Sequence, residues 1–473
     1  MWPFGLTGEP TCPEMGYIEP RVSGTRRPAM LNEENTVSPA TTPSAVIVGA
    51  NRIPFGKAGS AYRDATNQDM LTAVLDGLVA RFGLAGERLD EVAGGAVLKH
   101  SKNFNLTRES VLGSALDPHT PAYDVQRACA TGLESIIGVA NKISLGQAEV
   151  GIGAGVDSAS DAPIVVSERL RKTLLKLNRS KTFGQKLSAI TKIRPGDLVP
   201  VAPDVAEPRT GLSMGDHQAI TTAKWNITRE AQDELALASH QNLAAAYDRG
   251  FFEDLITPFR GLTRDESLRA DTSLEKLAKL NPVFGKRLSA TPTMTAGNST
   301  PLSDGAAAVL VSSPGWAKSR GMTPLARVVD ATTASVDFPS GEEGLLMGGA
   351  YAIPRLLDRN GLSLADFDFI EIHEAFASTV LTTLKAWESE EFCRERLGRS
   401  APLGAIDRSR LNITGSSLAA GHPFAATGGR LVATLAKLLH ERAKETGQVQ
   451  RGLISVCAAA GQGTVMLLES VTD

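Results

Sequence analysis

Gln126-Arg127-Ala128-Cys129-Ala130-Thr131-Gly132 is the stretch on which the reading of this chain turns. Tyr123-Asp124-Val125 before it has the character of a strand end. After it, Leu133, Ile136, Ile137, Ala140 and Ile143 fall on one helical face, and Gly146 supplies a stop. A thiol therefore sits at a strand-to-helix turn, at the positive end of a helix. That position lowers a thiol pKa and favours the thiolate. The same pattern also accommodates a small buried cysteine with no chemistry.

The pattern recurs further on. Leu411-Asn412-Ile413 leads into Gly415-Ser416-Ser417-Leu418-Ala419-Ala420-Gly421-His422-Pro423, and a helix with Leu431, Leu435, Leu438 and Leu439 on one face follows. Gly83-Leu84 precedes Asp90-Glu91-Val92, and Gly361-Leu362 precedes Asp368-Phe369-Ile370 at the same spacing. Two similar α/β halves, each ordered strand, loop, helix, strand, are the economical reading. The order begins with a buried strand at Ser44-Ala45-Val46-Ile47-Val48-Gly49 and a helix opened by Asp69-Met70-Leu71. It ends in a hairpin: Leu453-Ile454-Ser455-Val456-Cys457, the turn Gly461-Gln462-Gly463, then Thr464 to Leu468.

Bulk properties narrow the function classes. With 49 basic and 52 acidic residues, a net of −3, the chain lacks the basic field of a nucleic-acid binder. Only 5% of residues are aromatic, so the core is built from small and aliphatic side chains. Four cysteines spread over 473 residues fit free thiols in a reducing compartment, taken as cytoplasmic. Residues 1–43 read as a flexible tail with no signal peptide or membrane span, and Glu9, Glu14 and Glu19 argue against a transit peptide.

The halves are separated by different sequence. Between Ile164 and Pro200 lie nine basic residues against Glu168 and Asp197. Leu170, Leu174 and Leu177, then Phe183, Leu187 and Ile190, follow helical spacing. Such a basic amphipathic segment is a solvated helix packed on the protein, a site for phosphates, or a contact with an anionic membrane surface. Thr228 reads as the N-cap of a second helix.

Three further positions carry chemistry. His422, framed by Gly421 and Pro423, is placed to take a proton from a thiol. Cys457 ends its strand among Ala and Gly, which leave backbone amides open to whatever faces it. His373-Glu374-Ala375-Phe376 ends one strand and starts a helix, and Glu374 either orients a neighbour or favours the helix terminus.

Taken together, these motifs resemble the thiolases over residues 44–470. The match rests on the Cys129 loop, Thr295-Ala296-Gly297-Asn298-Ser299-Thr300, Asp304-Gly305-Ala306-Ala307-Ala308, His373-Glu374-Ala375-Phe376, Gly421-His422-Pro423, and Cys457 with Gly461-Gln462-Gly463. His373, where many thiolases have Asn, is similar to the trifunctional-enzyme β-subunit branch, as are Gly421-His422-Pro423-Phe424 and the basic insertion.

The resemblance implies an α/β thiolase fold, with two βαβαβαββ halves in a five-layered αβαβα stack and an inserted loop domain. Residues 44–162, completed by 291–320, would form the first half. Residues 163–290 would form the insertion and 321–473 the second half. It implies reversible thiolysis of 3-oxoacyl-CoA through an acyl-Cys129 intermediate, with acetoacetyl-CoA synthesis as the alternative. His422 would be the base and Cys457 the acid. His422 with a water held by His373, and the amides of Cys129 and Ala459, would form two oxyanion sites. Met214, Asn298, Thr300, Gly421 and Gly461 would contact substrate.

Coenzyme A is expected as substrate, with no tightly bound cofactor or metal. A homodimer or homotetramer is implied, with a hydratase/dehydrogenase α-subunit and peripheral membrane contact through 164–200 as further candidate partners. Ala459 stands where many members have Gly, and its amide persists if φ is negative there. Ser213-Met214-Gly215 replaces the common His-Met-Gly. A ketosynthase would use two histidines and a hydroxymethylglutaryl-CoA synthase a Glu, so Cys457 favours thiolase over both. A non-catalytic acyl-CoA carrier would have lost one of the two cysteines.

Overall fold

The structure is a computed structural model that describes residues 44–201 and 206–471. The tail expected over 1–43 lies outside the described residues. Among the described residues ten strands form: β1 (Val46–Arg52), β2 (Gly56–Lys57), β3 (Glu91–Gly94), β4 (Ala122–Asp124), β5 (Val150–Ser158), β6 (Ser303–Ser312), β7 (Ala326–Ser335), β8 (Phe369–Ile372), β9 (Arg451–Ala458) and β10 (Gln462–Ser470). They run in the order β4-β3-β5-β6-β1-β7-β10-β9-β8, with β2 on β6. Read outward from the β1–β7 junction, the two sides mirror each other. β1, β6, β5 and β3 answer to β7, β10, β9 and β8.

Four apolar interfaces separate five structural layers. On β6, Ala306, Ala308 and Leu310 face outward and pack with Met70, Leu71, Val74 and Leu78 of helix Asn67–Phe82. Val309 and Val311 alternate to the opposite face, as a strand's period of two requires. There they meet helices Thr131–Ser144 and Ala426–Thr446. The other side of that helix pair packs on Ile454, Val456, Met466 and Leu468. The far face of the second sheet, Leu453, Val465 and Leu467, is covered by helices Gly348–Asn360 and Ala377–Glu388. The repeated Gly-Leu pairs also behave alike. Gly83 and Gly361 both end helices in the left-handed region, at φ 66° and 64°, where glycine has no Cβ penalty.

The halves differ from the expected symmetry in two ways. First, they are joined in one ladder, because β1 reaches β7 through Val46↔Arg327 and Ile47↔Ala326. Second, Leu411–Ile413 does not form a full strand as its counterpart β4 does. Only Leu411 bridges to Ile370. Asn412 takes φ 48°, and its side-chain amide pairs with the N–H and C=O of Ile372 at 2.9 Å each. A side chain thus replaces the backbone ladder.

The insertion carries helices Glu168–Arg179, Phe183–Ile190, Met214–Lys224, Arg229–Asp248 and Leu274–Ala278. Thr228 caps the fourth of these, accepting from the Ala231 amide at 3.2 Å. A buried ion pair anchors the insertion to β1. Arg52 holds Asp265 through two bonds of 2.6 and 2.8 Å, and the Tyr247 hydroxyl donates to the same carboxylate. Among the described residues no helix is long and apolar enough to cross a membrane.

Candidate active site

Cys129 lies in a tight elbow between β4 and helix Thr131–Ser144. Ala128, just before it, adopts φ 44°, a costly conformation for a residue with a Cβ. Thr131 holds the elbow closed. Its hydroxyl accepts from the Arg127 amide at 2.9 Å and donates to the Ala128 carbonyl at 2.7 Å.

The expectation of a lowered thiol pKa at this helix start needs correction. Burial pushes the Cys129 thiol up to about 12. The amides of Ala459 and of Cys129 itself pull it down by less, and the charges of Asp157 and Glu207 push it further up. Taking a thiolate out of water costs more here than the helix end returns. The resting side chain is a neutral thiol.

His422 arrives on the opposite half. Gly421 before it has φ 97°, and a Cβ there would lie 2.5 Å from the Ser303 hydroxyl. That hydroxyl accepts the His422 amide at 3.2 Å. The ring Nδ1 is 2.6 Å from the Thr427 hydroxyl, and Nε2 has no partner. Burial, aided by the charge of Arg430, drops this imidazole to about 3. It is therefore neutral near pH 7 and able to accept a proton.

His373 stacks beside it, with ring centroids 4.0 Å apart and planes tilted 43°. Its Nδ1 is 2.8 Å from the Ser417 hydroxyl and its Nε2 is likewise free. Burial holds it well below the ordinary imidazole range, with the nearby His422 and Arg430 adding to this. His373 ends the strand as expected but does not start the helix, which begins at Ala377. Glu374 is not at a helix terminus either. Its buried carboxylate accepts from Ser239 (2.7 Å), Asn412 (2.8 Å) and the Leu418 amide (3.1 Å). It ties the His373 turn to the His422 loop and to the insertion.

Cys457 is the penultimate residue of β9, paired in register with Gly463. Burial raises its thiol, charge on Cys129 raises it further, and the Ala375 amide opposes both. The two thiols are thus close enough to sense each other. In the turn that follows, Ala460 has φ 61° while Ala459 is not left-handed. The condition for an alanine amide donor is met, and the Ala459 amide favours a thiolate at Cys129. Gly461, at φ 72°, closes the turn against Val336 and makes the hairpin possible.

The other residues expected at substrate sort into two groups. Met214 packs with Phe284 against an apolar cluster that contains Cys457, Phe338 and Phe376. Ser213, in place of the common His, caps the helix of Met214 by accepting from Asp216 at 3.1 Å. Thr300 lies between the two histidine loops, its amide on the Ala375 carbonyl and its hydroxyl on the Ser417 carbonyl. Asn298 must be corrected. It is fully buried and spends its side chain on Asp233 (2.9 Å), the Thr293 carbonyl (3.3 Å) and the Thr295 amide (2.7 Å). It shapes the loop from behind, with both amide hydrogens spent within the protein.

Sequence reasoning missed Ser303, Ser417, Thr427, Arg430 and Glu207. The first three are single hydroxyls at the starts of elements, Ser303 opening β6, Ser417 opening the short helix Ser417–Ala420 and Thr427 in the first turn of helix Ala426–Thr446, with no periodic signal. Glu207 reaches the site from the insertion, accepting from the Ala460 amide at 2.6 Å. Beyond Ser299 and Leu418 opens a cavity of about 400 Å³ whose rim carries Lys57, Arg269 and Lys276.

The chain matches two family models, Thiolase, N-terminal domain, over residues 45–314 and Thiolase, C-terminal domain, over 322–470. It is 42% identical over 428 residues to a 3-ketoacyl-CoA thiolase of Pectobacterium carotovorum subsp. carotovorum (strain PC1), covering 89% of this chain and 95% of that protein. It is 41% identical over 430 residues to a 3-ketoacyl-CoA thiolase of Yersinia pestis (strain Pestoides F), covering 90% and 96%. The crystal structure of the Bacillus anthracis acetyl-CoA acetyltransferase superposes with a TM-score of 0.74 at 30% identity, over 91% of this chain and all of that one. On these matches and this fold, the chain belongs to the thiolase family.

Proposed function

We propose that this protein is an acyltransferase that cleaves 3-oxoacyl-CoA with coenzyme A, releasing acetyl-CoA and an acyl-CoA shortened by two carbons. The observation that carries the reading is the pairing of two thiols from opposite halves, one against the Ala459 amide and one against the Ala375 amide, beside neutral imidazoles.

His422 takes the proton of Cys129 at Nε2 as the sulfur attacks carbon 3. The bond between carbons 2 and 3 breaks, its electrons pass to the acetyl-CoA enolate, and Cys457 protonates carbon 2. Coenzyme A then gives its proton to the Cys457 thiolate and attacks the acyl-Cys129 thioester. The departing Cys129 thiolate is reprotonated from His422. Splitting the reaction through a covalent acyl-enzyme replaces one difficult step with two easier ones. Oxyanions formed along the way are met by the Ala459 and Cys129 amides and by the Nε2 groups of the two histidines. Lys57 and Arg269 on the cavity rim suit the phosphates of coenzyme A, while Lys276 is paired with Asp271.

Running the same steps in reverse from two acetyl-CoA molecules makes acetoacetyl-CoA, the second reading, favoured by the likeness to an acetyl-CoA acetyltransferase. The test is loss of the enolate absorbance of acetoacetyl-CoA on adding coenzyme A, followed by a series of longer 3-oxoacyl-CoAs. Failure to consume any of them, with binding intact, would turn the reading toward a carrier.

The helical hairpin Glu168–Arg179 and Phe183–Ile190 is read as a contact with anionic membrane. Phe183 is 80% exposed and Leu187 51%. With Leu174, Leu177 and Ile190 they line an open apolar groove edged by Lys186, the composition of an interfacial helix. Flotation with vesicles containing phosphatidylserine tests it. Equal flotation of a Phe183→Glu, Leu187→Glu variant would rule it out.

A further inference from the structure

Two histidines with the same surroundings at first sight stand face to face in this site, yet the proposed chemistry asks opposite things of them. His422 must offer a lone pair at Nε2, and His373 must offer a hydrogen there. Both rings are buried, and both Nδ1 atoms rest on a hydroxyl, at 2.6 Å from Thr427 and 2.8 Å from Ser417. What differs lies behind the hydroxyls.

Ser417 Oγ receives a hydrogen bond from Arg430 Nη2 at 3.0 Å. A guanidinium only donates, so this bond fixes one lone pair of the serine. The serine has one hydrogen to place, and the other atom in reach of its Oγ is His373 Nδ1. If Nδ1 carried a hydrogen, two donors would converge on Ser417 and its own hydroxyl hydrogen would be stranded in a buried site. Buried polar hydrogens find acceptors. The arrangement that satisfies all three groups has Nδ1 accepting. Thr427 has no such donor behind it, and its hydroxyl does not dictate which nitrogen of His422 carries the hydrogen.

We propose that Ser417, oriented by Arg430, is a positioning residue that fixes His373 as the Nε2–H tautomer, so that the ring stacked on His422 enters the reaction as a hydrogen-bond donor. The proposal rests on the thiolysis reading for what the tautomer is used for, but not for which tautomer is present. Arg430 also bonds Ser416 Oγ at 3.1 Å. It therefore keeps its place when Ser417 is changed, and Ser417→Ala removes the relay with little else disturbed.

The experiment is a long-range ¹H–¹⁵N correlation spectrum of the full chain labelled with ¹⁵N-histidine, with His373 assigned by its disappearance in His373→Asn. His373 is expected as Nε2–H. In Ser417→Ala, His373 should move to a mixture of tautomers. In thiolysis, kcat should drop about 10- to 100-fold, somewhat less than outright loss of an oxyanion donor. KM should stay within about threefold, and Ser417→Thr should restore both signals. An Nδ1–H signal for His373 in the wild type, or an unaltered His373 spectrum in Ser417→Ala, overturns the proposal. The wild-type spectrum suffices if the variant does not fold. A wild type with the expected tautomer but no thiolysis would instead sink the activity and leave the tautomer assignment standing.

Discussion

The amide of Gly132 donates to the carbonyl of Ala425 at 3.1 Å. This one bond joins the first turn of the helix behind Cys129 to the loop that carries His422, across the boundary between the two halves. Nothing larger than hydrogen fits at that contact. A Cβ on Gly132 would stand 2.3 Å from the Ala425 oxygen, one on Gly155 2.0 Å from the same atom, and one on Gly428 2.3 Å from the Leu133 nitrogen.

Gly132→Ala should therefore force the two helices apart. Displacing catalytic groups by about 1 Å typically costs ~100-fold in rate, and thiolysis by this variant is expected to fall at least that far. Gly138→Ala, in the same helix but with its nearest neighbour at 3.5 Å, is the control. It should keep activity and gain ~0.5–1 kcal/mol in urea unfolding. Equal activity of the two variants would show that the contact does not position the site.

Cys129 should behave as a neutral thiol at rest, since burial pushes it up to about 12. Its alkylation by iodoacetamide is expected to accelerate with pH and still be rising at about pH 9. A plateau beginning near neutrality would reveal a preformed thiolate–imidazolium pair and contradict the neutral resting state.

The Ala459 amide, not its side chain, is the group that meets the Cys129 sulfur. Ala459→Gly should leave kcat nearly unchanged. Ala459→Pro deletes the donor, and losing one oxyanion donor typically costs ~100- to 1000-fold. Ala458 ends a strand and is extended, the conformation a following proline favours. Comparable rates for the glycine and proline variants would remove this amide from the mechanism.

The two cysteines should fail differently. Incubated with labelled acetyl-CoA, Cys129→Ala is expected to hold no label. Cys457→Ala should still acquire it but not break or make the carbon–carbon bond. Label retained by Cys129→Ala, or full thiolysis by Cys457→Ala, would reverse the roles.

His422 should also mark the acid limit of the fold. Folded, it stays neutral down to about 3, whereas an unfolded imidazole takes a proton near 6.5. The unfolded state thus binds the extra proton, so this contribution is complete above 6.5 and is lost as pH falls from there toward 3. Relative to His422→Asn, wild-type stability should decline by about 1.4 kcal/mol per pH unit once well below 6.5. Buried Asp157 and Glu371 are raised by desolvation and work in the opposite direction, but they are common to both proteins. Parallel unfolding curves at pH 7 and 5 would refute the assignment.

Much of this was written in the sequence because it depends on neighbours along the chain. The apolar face of Leu133, Ile136 and Ile143 makes the helix after Cys129 wherever that helix finally packs. Gly83 and Gly361 end their helices because only glycine enters the left-handed region freely. The motif order placed the chain in one family. The tertiary structure decided what depends on surroundings. It committed the Asn298 amide to Asp233 and the Thr293 carbonyl, which hold the loop from behind. It reversed the thiol pKa of Cys129, since desolvation is a property of the assembled core and outweighs a helix end that the sequence could see. It also gave two chemically identical imidazoles different hydroxyl neighbours, one backed by a guanidinium and one not, and no local pattern in the chain records that.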